Sequence, residues 1–534
     1  MPAFIDRAQQ NTSEELDEFS NAGPFGGVQA EVPQDQVEQF GQLDVLNMLL
    51  YNSIALTRPS FTILPAFPAP TNEQVTGIAD FYTSAAARLQ VVMTLTRLLL
   101  WDSTTQTFTN IPPVATPLAG GSADLFTWAV VNNILCFCQG VNNIQAWDGI
   151  TATFDAVSAN AKPAKYLMEL ETHLVAAYTI ETAVPHTQRV RWSGSGDPTD
   201  WTSPSSGIND ILGDLGPITG AVKIFQSGYI FHQWGITQMI PTGIGTDPFR
   251  FVPLTTRARG NTVPYSLAAA GEEFACYVGK DNIYKFDGTN SEPIGDHPIQ
   301  GNKRVGATTR IFADLKKCNP AIVSGYVSDT INGQVFPAYW LVIPGVAVWV
   351  YGLDEQSWTR LTYAQTLSII GRFFLNNIVT WADLVGTWAA QTLAWDEFPG
   401  VNPLDDMLLA FVSAGNGVLD FTSVSEQAWS MSGVFLMGDV RHSKTVQKFR
   451  ICIQDNHPVT FTISLTNQFG TTVSETITMG TGSGLVISQV LSLKITGIRI
   501  YWSISGAAGQ EITLVEFAPM FKTAGEQRGG TVDA

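Results

Sequence analysis

Cys136 and Cys138, separated by Phe137, are the nearest approach in this 534-residue chain to a metal-ligand motif. Residues two apart in a strand face the same side, so the two thiols could share an ion if two further ligands arrived. No second Cys pair and no His pair lies near them, and the six histidines (173, 186, 232, 297, 442, 457) are dispersed. The pair reads as core cysteine. Gly480-Thr481-Gly482-Ser483-Gly484 has the wrong order for a serine nucleophile elbow and reads as a hairpin loop. Gly279-Lys280 lacks the upstream glycine of a phosphate loop and leads into Asp281, which marks a turn.

The carboxylates fare no better. Ser195-Gly196-Asp197-Pro198-Thr199-Asp200-Trp201 shares part of the Ser-x-Asp-x-Gly-x-Thr-Trp box of sugar-cleaving propellers. It lacks the glycine after Asp197, and Trp201 arrives one residue early. Asp197 and Asp200 are expected to bind local backbone amides as turn-makers, as are Asp102, Asp148 and Asp287, where strands reverse. Spacing nominates no pair of carboxylates as acid and base. The sequence therefore assigns no catalytic, cofactor-binding or metal-binding residue, and the expectation is a protein that is not an enzyme and uses no cofactor.

The elements that carry these residues recur. Leu98 to Trp101, Asn143 to Trp147, Val190 to Trp192 and Ile230 to Trp234 are alternating strands that end in an aromatic and a Gly/Asp/Ser turn. Ile283 to Phe286 and Val348 to Tyr351 continue the series at wider spacing. A period of roughly 40–50 residues with such punctuation is that of a four-stranded propeller blade, whose two faces are buried only by neighbouring blades. The expected fold is all-β: a β-propeller of six or seven blades over residues 85–435, with an array of sandwiches as the alternative. Residues 1–84 form an acidic N-terminal arm leading into it. Residues 436–534 form a small C-terminal β-sandwich-like module with a flexible tail. Leu43, Leu46 and Leu50 suggest one short amphipathic helix between Gln42 and Leu56, followed by extended chain at Pro59, Pro65, Pro68 and Pro70.

Composition sets limits on function. Hydrophobic residues make up 45% and charged residues 14%, so a large core is available and disorder of the whole chain is excluded. The net charge of −18 opposes broad binding of phosphate backbones. Residues 1–80 carry eleven acids and two bases, which suggests either an arm that orders on a partner or a frayed end. Low charge with a mean hydropathy of +0.10 points to surface covered by neighbouring subunits. Five scattered cysteines fit synthesis in a reducing cytoplasm. No basic leader precedes an apolar run, and Pro344 and Gly345 break the longest apolar stretch, so no membrane insertion is expected.

One run of motifs resembles a known family. It comprises Arg189-Val-Arg-Trp-Ser193, Gly196-Asp-Pro-Thr-Asp-Trp201, Gly216-Pro-Ile-Thr-Gly220, Ser227-Gly-Tyr-Ile-Phe231 with Trp234, and Pro248-Phe-Arg-Phe251. Gly271, Val278-Gly279, Lys285-Phe-Asp-Gly288 and Pro293-Ile-Gly295 continue it, with Asn52 and Ala55 to Pro59 upstream. Over roughly residues 45–300 the chain is similar to the tail hub or nozzle (packaged-DNA stabilisation) proteins of short-tailed bacteriophages. That resemblance implies a structural virion protein of the tail. It would form a homo-oligomeric ring, a hexamer favoured, that continues the DNA channel below the portal and adaptor proteins. It would anchor tail fibres or spikes and let duplex DNA pass without tight binding. The competing expectations are a glycan-binding or glycan-cleaving propeller of a tail fibre and a scaffold propeller that recruits peptides.

Overall fold

A computed structural model describes residues 17–18, 28–29, 42–51, 54–71, 73–254, 258–299, 303–331, 334–374, 406–411, 415–420, 427–435, 443–454, 457–480 and 486–523. The chain divides into two compact units, Arg58–Gln427 and the pair of segments Met1–Thr57 and Ala428–Ala534. Each is all-β.

The first unit is a seven-bladed propeller. Every blade is a four-stranded antiparallel meander whose first strand lies innermost. Blade 1 runs Val75–Tyr82, Arg88–Thr94, Leu98–Asp102 and Thr107–Ile111. The inner strands of blades 2 to 6 are Thr127–Val131, Ala164–Leu170, Ile218–Ile224, Ala268–Ala270 and Ser324–Ile331. Blade 7 contains Leu367–Phe373, Asp406–Phe411 and Gly415–Asp420, and takes its outer strand, Ser60–Ile63, from the start of the unit. Seven inner strands neighbour one another in cyclic order, so the ring closes. The propeller therefore begins before residue 85, which lies within the turn joining the first two strands of blade 1.

Strand alternation supplies the glue between blades. In blade 1, Val92, Leu99 and Trp101 face Phe373 of blade 7, while Ala79, Phe81, Val91 and Met93 face blade 2. In blade 2, Leu135 and Phe137 face blade 1, and Cys136 and Cys138 face blade 3. The recurring aromatics seal these seams. Trp101 meets Phe373 at 5.3 Å between ring centroids, Trp147 meets Phe81 at 5.8 Å, and Trp192 meets Phe249 at 5.5 Å. The indole nitrogen of Trp147 donates to the Thr151 carbonyl and that of Trp192 to the Ser205 carbonyl, so neither polar tip is buried without a partner.

Trp234 breaks the expected series. It lies in the tight turn between Ser227–His232 and Ile236–Ile244 and is 58% exposed. Phe249 and Phe251, from the last strand of blade 4, take the seam position against Trp192. The wider spacing after blade 5 has a cause as well. The helix Thr308–Leu315 is inserted there, and its buried Asp314 accepts from the Trp349 indole and the Arg360 guanidinium, both at 3.1 Å.

The second unit is a two-layer sandwich. One sheet contains Met48–Tyr51, Ile54–Thr57, Thr513–Thr523, Lys444–Gln454 and Val486–Leu491; the other contains Asp44–Leu46, Trp429–Phe435, Ile500–Gly506, Val459–Asn467 and Thr472–Met479. Trp502 and Phe517 join the layers at 4.3 Å. Strands replace the helix expected between Gln42 and Leu56. Val45, Met48, Leu49 and Leu50 are all buried, a run no single helical stripe could satisfy, and Asn47 adopts φ 57, outside the right-handed helical region. Residues 42–57 thus complete the sandwich that the sequence places at 436–534. Most of the acidic arm, and the tail at 524–534, lie outside the described residues.

Trp147 is 3% exposed, and its replacement by Ala should cost about 3–5 kcal/mol in chemical denaturation. Trp234→Ala should shift stability by no more than about 0.5 kcal/mol. Equal losses at the two positions would contradict the assignment of seam and surface.

Candidate functional site

The aspartates flagged in the sequence sit where the third strand of a blade turns toward the fourth, or in that connection. Asp102 Oδ1 accepts from the Thr104 amide at 2.9 Å, and its Oδ2 accepts from the Thr105 hydroxyl at 2.8 Å. The Thr105 hydroxyl bond holds this carboxyl below its usual range. Asp148 accepts from the amides of Ile150 and Thr151, and Asp287 from those of Thr289 and Asn290. Asp197 binds the amide and hydroxyl of Thr199, while Asp200 binds the amides of Thr202 and Ser203. The Thr202 amide leads the causes that lower the pKa of Asp200. These groups are the expected turn-makers: each carboxylate is engaged by the loop it shapes.

Cys136 and Cys138 are both fully buried, and burial pushes the Cys138 thiol up to about 12. A buried thiol held in its neutral form is a poor nucleophile. Gly279 closes the expected turn through its amide to the Asn282 carbonyl. The loop 481–485 lies outside the described residues. His173 is buried and bonded through Nδ1 to the Ser193 carbonyl. Among the described residues no three His, Cys, Asp or Glu side chains are grouped as metal ligands would be.

The run of motifs from Arg189 to Trp201 forms framework. Arg189 grips Asp210 through two bonds of 2.7 and 2.8 Å and reaches Glu181 at 3.1 Å. The bond to Asp210 leads the causes that raise its already high pKa. Arg191 contacts Glu181 at 3.5 Å and lies over the Trp201 ring.

The feature that sequence reading missed lies on the propeller axis. A cavity of about 350 Å³ is lined by residues from all seven blades. Its walls include Asp80, Trp128, Tyr166, Tyr265, Tyr326 and Arg372. A three-residue signal marks several inner strands: Val75-Thr76-Gly77, Ile218-Thr219-Gly220 and Val323-Ser324-Gly325. The glycine is a requirement of space. A Cβ on Gly325 of blade 6 would overlap the Ser266 carbonyl oxygen of the connection that leads into blade 5, and one on Gly371 of blade 7 would lie 2.8 Å from Ile78 Cβ of blade 1.

No protein-family model and no curated protein matches the chain. Solved structures with some likeness include the extracellular domain of a protein described as a hybrid two-component system from B. thetaiotaomicron, at 9% identity and a TM-score of 0.40. That match covers 73% of this chain and 43% of the other, so this chain spans less than half its length. BBS1N in complex with ARL6DN matches at 9% identity and a TM-score of 0.39, covering 68% of this chain and 99% of that one. An exo-beta-1,3-galactanase from Phanerochaete chrysosporium with galactose matches at 9% and 0.28, covering 86% and 100%.

One buried histidine gives a pH prediction. His232 donates from Nδ1 to the Gly216 carbonyl and accepts at Nε2 from the Thr237 hydroxyl, each at 3.1 Å. Burial depresses its pKa to about 4 from an ordinary 6.5. The unfolded chain therefore takes up this proton more readily, so the stabilisation is complete above pH 6.5 and is lost as pH falls toward 4. The loss over that window should reach about 3 kcal/mol. Urea midpoints measured between pH 7 and pH 4.5 should show it in the parent and not in His232→Gln.

Proposed function

We propose that this protein is a structural subunit of a bacteriophage tail, a hub or nozzle protein that works as a ring of copies. The observation that carries this reading is where the family-like motifs fall. From Arg189 to Gly295 they build blades 3 to 5, as ion pairs, turn aspartates and seam aromatics rather than as a reactive centre. In this reading, what the chain would share with the family is the scaffold.

Surface chemistry supports assembly. Leu212 is 86% exposed and Phe469 81%, and Ile150, Phe225 and Trp234 are also open to solvent. Such side chains are suited to burial against neighbouring subunits, an adaptor, or a fibre. The propeller axis is not the DNA path. A 350 Å³ space crowded by aromatic rings cannot admit a duplex whose major groove alone is about 12 Å wide. The lumen in this reading lies between copies, six being favoured. With −18 on each copy, the wall of such a lumen repels phosphate and lets DNA slide without gripping it.

Light scattering on the purified protein should give several times 57.9 kDa, and labelled antibody should decorate the tails of particles. Duplex DNA should not bind the isolated protein at about 150 mM salt. A strictly monomeric protein that releases sugar from glycans would replace this reading with that of a glycan-cleaving propeller.

A further inference from the structure

The axial cavity carries polar groups that the fold leaves unused. Tyr166 is 4% exposed, yet its hydroxyl has no hydrogen-bond partner among the described residues. The same holds for the hydroxyl of Tyr265, whose ring lies 5.8 Å from that of Tyr166. Asp80 receives both bonds from Arg88 on a single oxygen, Oδ2, at 3.0 and 3.3 Å, which leaves Oδ1 available to accept. Burial raises the pKa of both phenols, so each keeps a proton to donate. Around these groups stand the rings of Phe126, Trp128 and Tyr326.

The chemistry narrows the occupant. A wholly apolar guest would leave the Tyr166 and Tyr265 hydroxyls and Asp80 Oδ1 dry and unpaired, at a cost for each. A cationic guest finds no uncompensated carboxylate, since Asp80 is the one acid among the described lining residues and Arg88 already neutralises it. A guest with several hydroxyls on a compact carbon frame satisfies both conditions. Its hydroxyls pair with the phenols and with Oδ1, and its C–H faces lie against the rings. The volume falls at the small end of the range for small-molecule sites, roughly 300–1,000 Å³. We propose that the axial cavity is a binding site for a small polyhydroxylated molecule of monosaccharide size, neutral or bearing one carboxylate.

The test needs neither ring assembly nor the tail reading. The full-length protein is titrated by calorimetry, and by ligand-observed NMR, with glucose, galactose, mannose, glucuronate and galacturonate, and with choline as the cationic control. At least one sugar or sugar acid should saturate at one per chain. Tyr166→Phe should weaken that binding about tenfold without lowering the melting temperature, because the hydroxyl it removes supports nothing in the fold. Tyr265→Phe provides the same reading from the other phenol should the first variant fold poorly. Saturation by choline alone, no saturation by any of the sugars, or equal affinity in both Phe variants would overturn the proposal.

Discussion

Seven strands converging on one axis have little lateral room, and the rest of the propeller is arranged around that shortage. Where strands crowd, the side chain must shrink or vanish, as at Gly325 against the Ser266 carbonyl and at Gly371 against Ile78. Farther out, each blade twists away from its neighbour and the gap widens, so the seam needs bulk. Trp101, Trp147 and Trp192 supply it on third strands, and Phe249 supplies it on a fourth. Close packing at both radii is one requirement met by opposite residue choices. Bulges serve the same end: the register slips beside Gly77 and Gly220, which lets the inner strands bend as they approach the axis.

That radial gradient explains what could be read from the sequence. Bulky aromatics followed by Asp-containing turns are conspicuous, so the blade period, the turn role of Asp102, Asp148 and Asp287, and the all-β class were legible. Trp234 misled because an aromatic beside a glycine looks the same in sequence whether it fills a seam or caps a turn. The inner-strand signal was overlooked. Val/Ile-Ser/Thr-Gly is only three residues long, and its spacing is disturbed by insertions such as the helix Thr308–Leu315. The axial cavity was beyond reach for another reason: no two adjacent segments build it, and its walls come from seven places along some three hundred residues.

The residues 42–57 show the limit of periodicity as evidence. Leu43, Leu46 and Leu50 have helical spacing, but Val45, Met48 and Leu49 fill the intervals, and a segment apolar on all sides is decided by its surroundings. Here the surroundings are strands more than 370 residues away: Asp44–Leu46 pairs with Trp429–Phe435, and the Asn47 side chain donates to the Ala428 carbonyl across a separation of 381 residues.

Both units are thus fastened by chain that is made first and chain that is made last. Thr57 bonds to Ile512 across 455 residues, and Ser60–Ile63 waits for Gly415–Asp420. At roughly 5–20 residues per second, the first of these partners emerges about 20–90 s after its mate. During that interval the nascent chain carries unpaired strand edges, which are templates for aggregation. The arrangement also amounts to proofreading in synthesis: a chain truncated before Gly415 can close neither ring nor sandwich, and one truncated before Thr513 can close the ring but not the sandwich.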